Sequence, residues 1–309
     1  MRLGGGSQET AACRASKRPY MLWYRIILAS GWRMALGRMI AFGAVFGALA
    51  APSLAEPQVA WATTDRLELV YDVAAGARIV ELTLEFSVAD DRYNISSRQT
   101  SVGLVRWLFP FESRTDVAGR FVAAATEPSS YRVKGEFRGK PRSVEMDFRD
   151  GALVRSQTFP ENIDDERDEV TPEQRVGAVD PVSAVMAVIR QMNEGRGCDA
   201  RVPVFDGRMR YDIVFKDAGQ REVPREGNSV FSGKAEVCEF AWVPIAGRSR
   251  KATANRKPED DKRTGRAFMA PLGSGQVVAP ARIEFETWFG TVVGHLREVR
   301  GTAQKASAN

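Results

Sequence analysis

Glu284 and Glu286 stand two residues apart in an alternating segment. On a strand, that spacing puts two carboxylates on one face about 7 Å apart, which overlaps the separation of an inverting glycosidase. Alternating acids on a wet strand face are also common, so the pair alone does not assign hydrolysis. Asp206, Arg208, Arg210 and Asp212 form a second charged row. It reads as a cross-strand salt-bridge ladder on a solvent face, or else as the lining of a polar cavity inside a curled sheet. His295 is the single histidine of 309 residues, so a metal site would need carboxylates alone. The chain carries no G-x-S-x-G elbow, no Walker loop, no H-E-x-x-H and no G-x-G-x-x-G. The sequence therefore points to no catalytic residue, no metal ligand and no cofactor.

The apolar surplus lies at Leu104–Phe111, where Leu104, Val105, Trp107, Leu108, Phe109 and Phe111 accompany one charge, Arg106. Such a segment either caps a core or forms an apolar lip where a lipid-like chain docks. The candidate ligand-binding residues are Leu104, Arg106, Trp107, Leu108, Phe109 and Phe111, with Trp242 and Trp288 as further lining. In a lip, the Arg106 guanidinium meets an anionic headgroup while its stem lies along the apolar wall.

The net charge of +5 suggests polyanion binding until it is located. Residues 1–55 hold seven basic groups and one acid, leaving 37 basic and 38 acidic groups beyond them. A near-neutral body has no general field for nucleic acid. The leader reads as an export signal. Met39–Leu49 is a small-apolar run behind Arg33 and Arg38, too short for a transmembrane helix of about 20 residues. Pro52 breaks it, and Ser53-Leu54-Ala55 offers a cleavage site before Glu56. An ordinary signal peptide results if translation starts at Met34. The expected location is the periplasm, with no stable membrane anchor after cleavage. Cleavage near Ala55 leaves Cys198 and Cys238, an even pair in an oxidising compartment. Their 40-residue spacing is unlike a redox C-x-x-C, so the pair is expected to form a structural bridge.

The elements that must position these residues are mostly strands. Alternation is clear at Leu82–Val88, Val144–Phe148 and Ile283–Thr287, and the stretch Phe205–Phe215 reads as one strand with Met209, Tyr211 and Ile213 on one face. Turn signals fall at Ala75-Gly76, Ala89-Asp90-Asp91, Gly139-Lys140-Pro141, Asp150-Gly151 and Asp217-Ala218-Gly219. About twelve strands in sequence order predict a mainly β fold. The expected form is a large curled antiparallel meander, an open barrel or β-spiral, because a long flat sheet leaves exposed edges. One amphipathic helix, Asp180–Glu194, lies against it. Asp180 is the N-cap, Pro181 the first helical position, and Val182, Val185, Met186, Ile189 and Met192 the apolar stripe. A shorter helix is expected over Ser101–Leu108. Pro160–Val170 carries six acids, and Gly247–Gly265 seven bases; both read as solvated excursions. The domain reading is a leader at 1–55, a single β-rich domain at 56–299 and a flexible tail at 300–309.

An ordered set of short patterns adds a resemblance. Tyr71-Asp72-Val73 with Gly76 is followed by Gly103-Leu104-Val105-Arg106, by Phe109-Pro110-Phe111 with Arg114, and by Gly119-Arg120. Val179-Asp180-Pro181, Phe205–Asp212, Pro280–Glu284 and Phe289-Gly290-Thr291 complete it. Together these resemble the exported bacterial family called domain of unknown function 3108, over roughly residues 65–297. The resemblance implies export and a β-rich fold, and supplies no catalytic residues. A looser likeness, in architecture alone, is to lipoprotein-carrier-like and envelope-integrity β-spiral periplasmic proteins. The expected function is non-enzymatic support of the cell envelope by binding an apolar, lipid-like ligand or another envelope protein. The alternatives are a hydrolase of envelope polymers acting through Asp206, Asp212, Glu284 or Glu286, and a scaffold pairing through an edge strand.

Overall fold

The computed structural model describes residues 64–301 apart from 90, 124, 162–166, 249–263, 273–276 and 288–289. The leader, the Met34 start, Trp288 and most of the basic excursion lie outside the described residues.

The described chain forms thirteen strands and three helices. The first arm comprises β1 (Thr64–Ala75), β2 (Ala77–Ala89), β3 (Arg92–Ser101), β4 (Phe111–Val122), β5 (Ala125–Phe137), β6 (Lys140–Arg149) and β7 (Ala152–Phe159), with α1 (Gly103–Leu108) between β3 and β4. Then come α2 (Pro172–Arg175) and α3 (Pro181–Asn193). The second arm comprises β8 (Ala200–Phe205), β9 (Arg210–Val223), β10 (Gly233–Ala246), β11 (Thr264–Leu272), β12 (Val277–Thr287) and β13 (Gly290–Arg300). All belong to one antiparallel sheet in the order β7-β6-β5-β4-β3-β2-β1-β13-β12-β11-β10-β9-β8. The first and last strands pair at its middle, and two strands consecutive in sequence, β7 and β8, are its edges.

Local chemistry explains the hairpins. Arg138-Gly139 and Asp150-Gly151 connect β5–β6 and β6–β7 with both φ angles positive; such two-residue turns match the right-handed twist of the flanking strands. The stretch Phe205–Phe215 is not one strand. Asp206-Gly207 turns it, Gly207 having φ +93° and the Asp206 carboxylate accepting from the backbone N–H of Arg208 and Met209. That is the side-chain turn chemistry for which Asp-Gly is known. Conversely, Asp217-Ala218-Gly219 is no turn: it lies inside β9, where the pairing with β10 slips between Glu236 and Cys238. An irregularity of this kind absorbs a positive-φ glycine without ending the strand.

The sheet curls around α3 without closing. Tyr93 and Ser183 share a 2.7 Å hydroxyl hydrogen bond, Thr126 donates to the Ser183 carbonyl, and Asn193 makes two bonds to the Val278 backbone. The helix thus straps β3 and β5 to β12. Its buried residues are Ser183, Ala184, Met186, Val188, Ile189 and Met192. The stripe is therefore rotated from the expected one: Val185 is exposed, and Val188 takes its place. Arg190 and Glu194 are half-buried. Arg190 pairs with Glu194 at 2.7 Å and stacks over Phe121, because a long stem covers apolar surface while its head finds a carboxylate.

Met186, Ile189 and Met192 join Tyr93, Val117, Tyr131, Met146, Tyr211, Phe215 and Phe240 in one core cluster. A second cluster gathers Leu67, Leu69, Tyr71, Val237, Phe268, Ala279 and Leu296. Cys198, just past α3, is bonded to Cys238 of β10 with Cα atoms 6.1 Å apart. It ties the helix exit to the sheet, with Met192 Sδ 3.5 Å from the Cys238 sulfur.

Candidate functional site

The segment at residues 104–111 is surface, not core. The β3–β4 connection begins at Val102, whose N–H donates to the Ile79 carbonyl at 2.9 Å. At its base, the Ser101 hydroxyl is buried and bonds both backbone groups of Phe111. Beyond, the Arg138 N–H donates to the Pro110 carbonyl. The excursion is thus clasped at its foot and held on either side by backbone of β2 and the β5–β6 turn. Gly103 follows at φ +58°, a left-handed conformation that glycine adopts without a Cβ penalty.

Between these clasps, α1 has no side-chain N-cap and no buried residue. Leu104 is 70% exposed, Trp107 79% and Leu108 46%. Phe109 and Phe111 are half-buried, and Arg106 is exposed. The Arg138 guanidinium lies 4.4 Å from the Phe109 ring centroid and 5.9 Å from that of Phe137, distances at which the ring quadrupole attracts a cation. Sequence reasoning missed Ser101 and Arg138. Arg138 lies 29 residues from Phe109, and only the register that pairs Phe111 with Phe137 brings it there. The arrangement is an apolar knob at a turn end of the sheet, with cations at its margin.

Trp242 is not part of this lining. It is half-buried and packs against the core, edge-on to Phe240 at 5.3 Å and stacked on Phe285 at 6.0 Å. The interior that a ligand chain would enter is occupied by side chains of α3 and the sheet.

The candidate acids are dispersed. Asp212 on β9 pairs with Arg210 at 2.6 Å and Arg201 at 2.7 Å. Glu284 on β12 pairs with Arg282 at 2.8 Å. Glu286 accepts from Thr291 at 3.1 Å. Three strand spacings, about 14 Å, separate β12 from β9. Asp206 lies in the β8–β9 turn; burial raises its carboxyl pKa against the backbone bonds that oppose the rise. The expected row is therefore a ladder only at Arg201, Arg210 and Asp212, while Asp206 and Arg208 face other partners. His295 on β13 lies 3.9 Å from Glu226, and burial followed by the nearby Arg282 lowers its pKa. Among the described residues, no group of three His, Cys, Asp or Glu side chains is placed to hold a metal ion. No described helix is long and apolar enough to cross a membrane.

Two depressions lie elsewhere. A groove of about 330 Å³ runs over β2–β5, lined by Arg66, Glu85, Asn94, Ser96, Asp116 and Arg132 among others. A second, of about 290 Å³, lies at the α3 exit by Met192, Gly197, Asp217 and Glu236. Neither includes a residue of 104–111.

Comparison with known proteins gives one family. The model described as "Protein of unknown function (DUF3108)" matches residues 68–297. No curated protein matches. Among solved structures, the chain is similar to the beta-barrel-like protein of domain of unknown function DUF1849 from Brucella abortus. That match has 10% identity and a TM-score of 0.44, covering 77% of this chain and 98% of that one.

Proposed function

The chain belongs to the DUF3108 family of unknown function, and from that premise we propose that it is an exported, non-enzymatic protein of the periplasm that supports the cell envelope by binding a lipid-like molecule at the α1 lip. The observation that carries this reading is the exposure of Leu104, Trp107 and Leu108 on a helix that buries nothing. Three large apolar side chains displayed together are costly in water, and contiguous apolar surface of this kind marks interaction sites. The cations at the margin suit an anionic amphiphile: Arg106 is exposed, and Arg138 is held over Phe109. Because α3 and the core fill the curl, the ligand lies across the lip rather than inside the sheet.

The scaffold reading keeps one specific observation, the edge strand β7, which displays Val154 and Phe159, each more than half exposed. The reading is tested by mass spectrometry of lipids that co-purify with the protein, comparing wild type with Leu104→Ser/Trp107→Ser. Enrichment of one lipid class in the wild type alone supports the lip. Equal lipid content in both removes it, and a concentration-dependent dimer that ignores the lip substitutions favours β7.

A further inference from the structure

The face of the first arm turned away from α3 carries the groove over β2–β5, and strand register builds it. Ile95, Val117 and Tyr131 point into the core, so their neighbours on β3, β4 and β5 point outward. One outward row runs through Glu85, Ser96, Asp116 and Arg132. The next runs through Ser87, Asn94, Ala118 and Ser130. The second row is the shorter in side chains, so it lies low beside the first. The resulting cavity is about 330 Å³, within the range of roughly 300–1,000 Å³ typical of ligand pockets. Three strand spacings give it a reach of about 14 Å across the sheet.

Each charged side chain that lines the groove already has a partner. Arg66 pairs with Glu85, Arg132 with Asp147, and Asp116 with Arg114 at 2.9 Å. The Ser96 hydroxyl also donates to Asp116 at 2.8 Å. The neutral groups are the ones left over. Ser87, Asn94 and Ser130 line the groove, and among the described residues their side chains have no hydrogen-bond partner. A charged ligand therefore meets no uncompensated side chain in this lining. An apolar chain meets no large exposed apolar side chain, since those of the described fold lie elsewhere. A peptide meets no free strand edge, because β2–β5 are each paired on both sides, and an open edge is what strand addition requires.

We propose that this groove binds a neutral oligosaccharide. A sugar hydroxyl both donates and accepts, and so do the groups left over: the Asn94 amide carries two N–H donors and an acceptor oxygen, and each serine hydroxyl one donor and two lone pairs. The ion pairs along the wall hold carboxylate oxygens and guanidinium N–H groups in position before a ligand arrives, which lowers the ordering cost of a polar site. Ala118 gives the floor an apolar spot for the C–H face of a ring. The length of the groove suits a chain of sugars rather than a single ring. The site does not rest on the α1 lip, none of whose residues line it.

The test is saturation-transfer NMR and titration calorimetry of the purified protein with chitotetraose, cellotetraose and maltotetraose, beside an anionic oligogalacturonate, at low and physiological salt. Asn94→Ala removes an exposed amide that supports nothing else in the described fold, and Ala118→Leu fills the floor. Unfolding midpoints show that both variants are folded. Arg300→Gln is the control, a surface arginine paired with Glu298 and Glu68 on other strands. The expected result is saturable binding of at least one neutral oligosaccharide, equal at both salt concentrations because no net charge is neutralised. Asn94→Ala should weaken it by about tenfold, Ala118→Leu should abolish it, and Arg300→Gln should leave it unchanged. No binding of any neutral oligosaccharide, binding of the anionic probe alone, or binding that neither groove variant alters overturns the proposal.

Discussion

Two apolar helices of this molecule meet opposite fates. The longer, α3, has a side-chain cap, six buried residues and a disulfide at its exit. The shorter, α1, has a six-residue span, no side-chain cap and no buried residue. Isolated helices of either length are marginal in water, so each depends on its surroundings. For α3 the surroundings are the concave sheet, and its apolar side chains account for its stability. For α1 they are backbone clasps at Val102, Ser101 and Pro110, and its apolar side chains stabilise nothing visible within the described fold. An apolar residue that packs explains itself; Trp107 packs on nothing among the described residues, and that exposure is the observation from which the ligand at α1 is proposed.

The comparison breaks most sharply when the same charge is placed on both helices. Met186 is 4% exposed, and Met186→Asp buries a carboxylate without a partner, at a cost of about 4 kcal/mol or more. Trp107→Asp puts that charge in solvent and should change stability by less than about 0.5 kcal/mol. Thermal or urea unfolding of the two variants checks this, and equal losses would mean that the helices are not different in kind.

Next in size is the tether on α3. Replacing Cys198 and Cys238 with serine reopens a 40-residue loop, for which the chain-entropy relation gives about 4 kcal/mol as an upper figure. Unfolding midpoints with and without reductant measure it. No shift in the wild type on reduction would show that the bridge does not hold the helix exit.

A smaller effect sharpens the α3 side. Asp180 is fully buried and accepts from Val182 N, Ser183 N and the Ser183 hydroxyl. Alanine there should cost about 2–3 kcal/mol, above the roughly 1 kcal/mol of an exposed cap, because two N–H groups are left buried. Burial raises the Asp180 pKa from 3.8 to about 6. The folded state then binds the proton more tightly than the unfolded state. Its contribution is present below about pH 4 and declines as pH rises to about 6, by about 2–3 kcal/mol. Asp180→Asn should flatten that part of the stability–pH curve, and an unchanged slope would relocate its origin.

Much of the architecture was legible because alternation and cap chemistry are local. Leu82–Val88 and Val144–Phe148 showed their strands, and Asp180-Pro181 marked the start of α3. The errors fell where one local signal has two outcomes. Asp206-Gly207 turned a stretch whose alternation looked continuous, while Asp217-Ala218-Gly219 was absorbed as an irregularity inside β9. The candidate site was legible as a composition but not as a position. Leu104–Phe111 reads the same whether or not another element covers it, and that depends on tertiary packing. Arg138 over Phe109 is a product of strand register, and no short window of sequence contains it.

The central claim is that α1 displays its apolar residues for a ligand rather than for the fold, and Trp107→Ala tests it on two axes at once. Melting temperature and binding of a fluorescent lipid analogue are measured on the same preparations of wild type and variant. The account predicts binding by the wild type, a melting temperature within about 2 °C in the variant, and affinity at least about tenfold weaker. A large fall in melting temperature, with no lipid binding by the wild type, would contradict it.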